Sequence, residues 1–426
     1  MPEEPRAAVM QPGDAWVVEP LPPVSWLPER LSPVRYRDFR LLLAGLLMAL
    51  SGWWMIIVAQ GWLVLELTDS AAAVTLVGAM LSLPFLFLAP LSGVMADRLY
   101  RKHLLVGTRS TVAVLMFIEG ALILSGHIEV WQMVVLAFLA GCAFAADIPA
   151  RQSLIPDTVP PSLVANAVAL NVSMFSITTI AGPILGAGTL AWAGAGGCFI
   201  ANGFGNAALA ASIALMRVPR RQRAGRLSVS GDFVSGLRYV RGQRVLLTLL
   251  SVSLVVTMTG RNWQQLAPVF VRDVFDSGEG GLGLLYTMAG IGAVIGAAFL
   301  VAVSHWRRRA GLYGVGLTAA FLAIALFAIS PSLEVALGAV LVVGVGLQVT
   351  ETTTQTVLLV ETPEEFRGRM MSLSSLIWGL QPLGVLVAGV IADAASPQAA
   401  ILAGCGAGVT LLAALYTRTR RVWATF

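Results

Sequence analysis

A chain of 426 residues that is 57% hydrophobic and 12% charged, with a mean hydropathy of +0.80, carries more apolar side chains than soluble cores can hide, and this places it in a bilayer. The net charge of +5 does not point to nucleic acid, because the basic residues fall in short clusters at the ends of apolar runs, where membrane orientation uses them. Cys142, Cys198 and Cys405 lie inside apolar runs without C-x-x-C spacing and read as packing residues, not as disulfide or metal ligands.

Residues 1–40 are Pro-rich and mixed in charge ("EPLPPVSWLPERLSPVRYRDFR"), show no secretory h-region, and read as a loosely ordered cytoplasmic tail. A crossing needs about 20 apolar residues. Dividing the chain at its charged and Pro/Gly punctuation predicts crossings at 41–67, 73–96, 104–125, 130–150, 163–192 and 195–216. A polar segment, 217–244, follows as a linker that includes a short stretch suited to the membrane surface. Six more crossings then fit at 245–271, 281–303, 311–330, 334–360, 369–393 and 398–417, ahead of a short tail, 418–426. The result is an all-α membrane protein of twelve helices in two halves, 41–216 and 245–417.

The distribution of Arg and Lys tests this count. Arg35, Arg37 and Arg40 precede the first crossing, and Arg98, Arg101 and Lys102 follow the second; the linker follows the sixth, and Arg307, Arg308 and Arg309 follow the eighth. The intervening loops hold almost no positive charge apart from Arg272, so the positive-inside rule predicts that both termini are cytoplasmic. The halves also echo each other. A shift of 203 positions pairs Gln152 with Gln355, Pro160 with Pro363 and Leu170 with Leu373, as expected of parallel repeats about an axis normal to the membrane.

Between the second and third crossings, "GVMADRLYRK" resembles the signature cytoplasmic loop of the major facilitator superfamily, with Gly93, Asp97, Arg98, Arg101 and Lys102 on the motif positions and Tyr100 where the family usually has Gly. "TTIAGPILGAG" resembles the Gly-Pro motif of the superfamily's drug:proton antiporters, and "TPEEFRGRMMSL" resembles its enterobactin-exporter-like branch. The resemblance implies the twelve-helix major facilitator fold. In that fold Asp97 and its basic neighbours act as a cytoplasmic latch or gate, and a plain positive-inside anchor is the competing reading. Gly182, Pro183 and Gly186 mark a helix kink or a smooth packing face.

Ionisable residues at membrane depth are site candidates because each costs several kcal/mol without a cavity or a partner. The resemblance implies that the first, fourth, seventh and tenth crossings line a central cavity. They carry Gln60 and Glu66; Asp147; Arg261, Asn262 and Gln265; and Gln348, Glu351 and Gln355. Glu351, paired with Arg261, is the leading candidate for proton coupling, with Asp147 and Glu66 behind it, and Asp147 also pairs with Arg151 in an inner-gate reading. Glu119, alone in the third crossing, is read as turned outward. Trp53, Trp54, Trp62, Trp263, Phe175 and Trp378 are candidate aromatic walls.

These residues predict a secondary active transporter, not an enzyme, that exports small amphiphilic organic molecules by proton antiport and alternating access. The proton gradient supplies the energy and no cofactor is needed. The protein is expected to act as a monomer in the inner membrane, with the bilayer, protons and an organic substrate as its partners. A dedicated siderophore exporter and a non-transporting receptor on the same fold are the alternatives. The chain lacks a Walker loop, and His103, His127 and His305 sit at loop edges away from any nucleophile.

Overall fold

The computed structural model describes residues 28–98, 100–152, 154–217, 238–303 and 309–425. The chain enters through a 3₁₀ turn, Glu29–Arg35, and then runs into α1, Arg37–Thr68. The first half continues with α2, Ala71–Arg98; α3, Arg101–Leu124; and α4, Val130–Gln152. The helix Val164–Leu215 follows, and a single residue divides it: Gly194, at φ 67 and ψ −178, takes a conformation that a Cβ disfavours. Residues 164–193 are therefore α5 and residues 195–215 are α6. The loop expected between them has shrunk to that one glycine.

In the second half, α7 spans Arg244–Val274, and α8 (Glu279–Ala302), α9 (Arg309–Ala328) and α10 (Leu333–Val360) follow. The next crossing, α11, is built from Glu364–Gly379 and Gln381–Ala394, and Pro397–Thr425 forms α12. Among the described residues eleven helices are long and apolar enough to cross a membrane, and one of them, Pro161–Leu215, contains the two crossings joined at Gly194. This gives the twelve-helix major facilitator architecture.

Two crossings depart from the regular helices expected of them, and proline accounts for part of each departure. Pro268 in α7 has no N–H to give to the Gln264 carbonyl four residues back, and the Tyr286 hydroxyl of α8 donates to that carbonyl instead, at 2.6 Å. Wide π turns at Val256–Gly260 and Phe270–Val274 flank the α-helical segment Asn262–Val269. In α11 the helix resets at Leu380, two residues before Pro382.

Packing within each half follows from the small residues of apolar helices, since lipid tails provide no hydrophobic drive for helix association. In the first half a core of Phe39, Leu42, Leu46, Leu105, Leu209 and Ile213 gathers at the end that leads into the linker, called here the linker end. There the Arg217 backbone N–H donates to Asp38 Oδ2 at 3.0 Å and the Lys102 ammonium donates to the Met216 carbonyl at 2.7 Å, so both bind the end of α6. The opposite end, which carries Asp69 between α1 and α2, is called the Asp69 end.

Candidate functional site

The second half contributes a polar cluster built on three helices. Arg261 stands at the seam after the first wide turn of α7, and its Nη2 donates to Glu351 Oε2 of α10 at 3.2 Å. One turn along α10, the Gln355 amide donates both to Glu351 Oε1 at 3.2 Å and to Ser374 Oγ of α11 at 3.1 Å. The Arg261 guanidinium also lies over the Trp378 ring of α11, 4.2 Å from its centroid, within the range of a cation–π contact. The Glu351 side chain is 27% exposed and that of Arg261 15%, so the pair is partly accessible and not sealed in a core.

The first half holds a tighter network. Asp147 of α4 accepts two hydrogen bonds from the Arg109 guanidinium of α3, one at 2.7 Å from Nε and a shorter one from Nη2. Arg109 Nη1 reaches Asn206 Oδ1 of α6 at 2.9 Å, the Asn206 amide donates to the Asn202 side-chain carbonyl, and Arg151 approaches Asp147 at 3.4 Å. Arg109 and Asp147 are both buried. The Asp147–Arg151 contact foreseen from the sequence is thus the outer edge of a network whose centre is Arg109, a residue that sequence reasoning overlooked. The available signal was the single Arg of a crossing whose one other ionisable residue is Glu119.

Glu119 requires a correction. The expected outward orientation is wrong: the side chain is fully buried, and neither carboxyl oxygen has a hydrogen-bond partner among the described residues. It lines a narrow cavity with Trp53 and Gln60 of α1, Phe144 of α4, and Phe199 and Asn202 of α6. The reason is helical phase, since Glu119 shares the inward stripe of α3 with Val112, Leu115 and Met116.

Several other candidates stand elsewhere than expected. Glu66 is exposed near the Asp69 end of α1 and accepts a hydrogen bond from Trp62 Nε1 at 2.7 Å. Asn262 is buried, donates to the Met258 carbonyl at 3.1 Å and faces Gly404 of α12. Gln265 is directed at Gly78 of α2, on the seam between the halves, and Gln348 donates to Thr352 Oγ1 at 2.8 Å. Trp263 is buried beside Tyr286 and Phe327 inside the second half. Gly182 and Gly186 leave no room for a Cβ against Trp54 and Met55 of α1, and the backbone stays helical through Pro183; these glycines serve close packing, and the break falls at Gly194. The surroundings of Gly93 and the side chains of Asp97 and Arg98 lie outside the described residues. Arg101 approaches Asp157 at 3.6 Å and Lys102 holds the Met216 carbonyl, so these two basic residues brace the first half internally.

At the Asp69 end the halves are strapped together by reciprocal helix caps. Asp393, at the end of α11, accepts hydrogen bonds from the first turn of α2: the Ala71 N–H at 2.6 Å, the Ala72 N–H at 3.1 Å and the Ser70 hydroxyl at 2.6 Å. Arg272 of α7 donates to the Leu65 carbonyl at 3.0 Å and to Asp69 Oδ1 at 2.8 Å, at the C-terminus of α1. A carboxylate meets a helix N-terminus and a guanidinium meets a C-terminus, the polarity that the helix dipole favours. Asp393→Ala is therefore expected to open this end. With Thr75, a fully buried residue packed against Gly389 of α11, replaced by Cys, labelling by an impermeant thiol reagent should rise about tenfold in the Asp393→Ala background, the factor set by about 1.4 kcal/mol of lost charged hydrogen bonding. An unchanged rate would show that the strap does not hold the end shut.

Comparison with known proteins agrees with this geometry. A family model described as a transmembrane secretion effector matches residues 29–424. The chain is similar to the multidrug efflux pump Tap of Mycolicibacterium fortuitum, 28% identical over 380 residues covering 85% of this chain and 91% of the relative. It is also similar to the staphyloferrin A transporter of Staphylococcus aureus, 24% identical with 80% and 86% covered, and to macrolide efflux protein A of Streptococcus pyogenes, 21% identical with 77% and 82% covered. In fold it resembles the crystal structure of the nucleoside transporter NupG, with a TM-score of 0.74, 14% identity, and coverage of 89% of this chain and 98% of that one.

Proposed function

Because the chain belongs to the transmembrane secretion effector family of major facilitator transporters, we propose that it exports amphiphilic organic molecules from the cell by proton antiport. The observation that carries this reading is the Arg261–Glu351–Gln355 cluster, a partly exposed ion pair joining α7 to α10 beside the exposed face of Trp378. A buried or half-buried carboxylate with one cationic partner has two ways to stay neutralised: the Arg, or a proton. Substrate that binds while Arg261 holds Glu351 ionised would lose its site when Glu351 takes up a proton instead, and this mutual exclusion of the two ligands is the exchange that antiport requires. Aromatic and amide groups around the pair suit an organic ligand of mixed polarity and discriminate weakly between ligands of similar size. Named relatives that are multidrug and macrolide efflux proteins support the same reading.

The orientation proposed is with both termini, the linker and the linker end in the cytoplasm, and the Asp69 end outside, in keeping with the Arg and Lys distribution. The strap between Asp393 and α2 then closes the outer side. Gly242 and Gly280 both sit where an added side chain meets open space, which suits them to single-cysteine labelling. Cys at 280 is expected to label in intact cells, and Cys at 242 only after permeabilisation. Labelling of both from outside would refute the proposed topology.

Siderophore export is the second reading, supported by the staphyloferrin A transporter among the relatives and by the cationic Arg261, which suits a polycarboxylate ligand. Expression in a pump-deficient bacterial host separates the two. Dye efflux and drug tolerance should rise across a chemically varied panel if the substrate range is broad, whereas secreted siderophore alone should rise if it is narrow. Uptake of every compound with efflux of none would overturn export altogether.

A further inference from the structure

The Glu119 cavity has no part in the cluster on α7, α10 and α11, yet it contains an ionisable group with no partner. The carboxyl is fully buried, and both its oxygens lack a hydrogen-bond partner among the described residues. The groups that face it come from four other helices: Trp53, Ile56 and Gln60 of α1, Leu81 of α2, aliphatic and aromatic residues of α4, and Phe199 and Asn202 of α6. None of these cavity-lining groups is ionisable, so no cation there offsets a negative charge. A bare carboxylate at such a place costs several kcal/mol, whereas a neutral carboxylic acid costs far less.

A second observation gives the site a direction. Asn202, which lines the cavity, accepts from Asn206; Asn206 accepts from Arg109; and Arg109 holds Asp147, with Arg151 beside it. Arg109 lies ten residues before Glu119 on α3, about 15 Å along the axis at helical rise. One file of polar side chains therefore runs through the first half from the linker end to the Glu119 cavity, while the strap at the Asp69 end closes the other side.

We infer that Glu119 is a second proton-binding site, separate from Glu351, that carries one of the transported protons and communicates with the cytoplasmic side along the Asn202–Asn206–Arg109–Asp147 file. The inference rests on the antiport reading above. The step is an acid–base exchange only: the carboxylate takes a proton from hydronium, leaving water, and returns it to water when the cavity wets; no electrons move. In the present conformation, closed at the Asp69 end, the site holds its proton as a neutral acid.

The test has two arms. In the first, infrared difference spectra of the purified protein, recorded across a pH titration with no substrate present, should show the carbonyl stretch of a protonated carboxyl in apolar surroundings, and Glu119→Gln should remove that band. A spectrum unchanged by the substitution overturns the inference. Glu119→Gln keeps the shape and neutrality of the acid and is expected to fold; Glu119→Asp, which retains a titrating carboxyl, should keep a shifted band if Gln disturbs the fold.

In the second arm, ethidium accumulation is measured in everted vesicles with an acidic interior and the membrane potential clamped. One coupled proton contributes a factor of ten per pH unit, so Glu119→Gln should lower steady-state accumulation tenfold for each unit of gradient. Equal accumulation ratios in the parent and the variant overturn the inference while leaving antiport intact. A parent ratio that does not respond to the gradient refutes antiport itself, and the infrared arm then judges Glu119 on its own.

Discussion

Arg109→Ala is expected to destabilise the protein by about 3–5 kcal/mol, because it leaves the Asp147 carboxylate buried without its main partner. Asn206 loses its donor at the same time, so α3, α4 and α6 are all released at one point. Removing both charges in Arg109→Ala with Asp147→Ala should be much milder than either truncation alone, since neither fully buried charge is left without the other, and Arg151, which loses its contact with Asp147, is partly exposed. Thermal unfolding of the purified protein in lipid nanodiscs measures all three variants. Equal losses in the single and double variants would mean that the pair adds packing and little else.

The second large effect is expected at Glu351. Glu351→Gln should abolish uphill transport driven by a pH gradient while leaving exchange of labelled substrate across the membrane measurable, because Gln preserves shape and hydrogen bonding but cannot titrate. Arg261→Ala should instead weaken both, as it removes the partner of Glu351 and the cation over Trp378. Counterflow and gradient-driven uptake in the same proteoliposomes separate the two activities. Full pH-driven accumulation by Glu351→Gln would assign Glu351 to a static tie between α7 and α10.

The architecture was legible because long apolar runs and the side on which Arg and Lys fall are properties of composition along the chain. Helical phase was not. Glu119 and Glu66 both look like single acids in apolar crossings, but one faces a cavity and the other accepts from Trp62 at an exposed helix end. A difference of about 100° per residue decides which, and neighbouring helices set that angle. Arg272 shows the same limit from the other side. In sequence it is only an exception to the charge rule, whereas in the fold it caps α1 with a positive charge supplied by the opposite half. The Arg261–Glu351 proximity was inferable because each residue falls near the middle of its own crossing, but the share of Gln355 and Ser374 in holding Glu351 depends on where α11 passes.

The wide turn at Val256–Gly260 makes α7 unlike its neighbours in what it tolerates during evolution. Removing one residue from a regular helix swings everything beyond it by about 100°, which would turn a buried stripe toward lipid. A π turn is one residue longer than the α turn it replaces, so deleting a residue there restores ordinary winding and keeps both flanks in phase. Leu249 and Val252 before the turn and Trp263 and Leu266 after it would stay in their cores. The casualty would be the seam itself, where Arg261 now departs from the helix direction. Chain length in this crossing is thus a dial on the aim of a single guanidinium, adjustable by insertion or deletion without rebuilding the bundle around it.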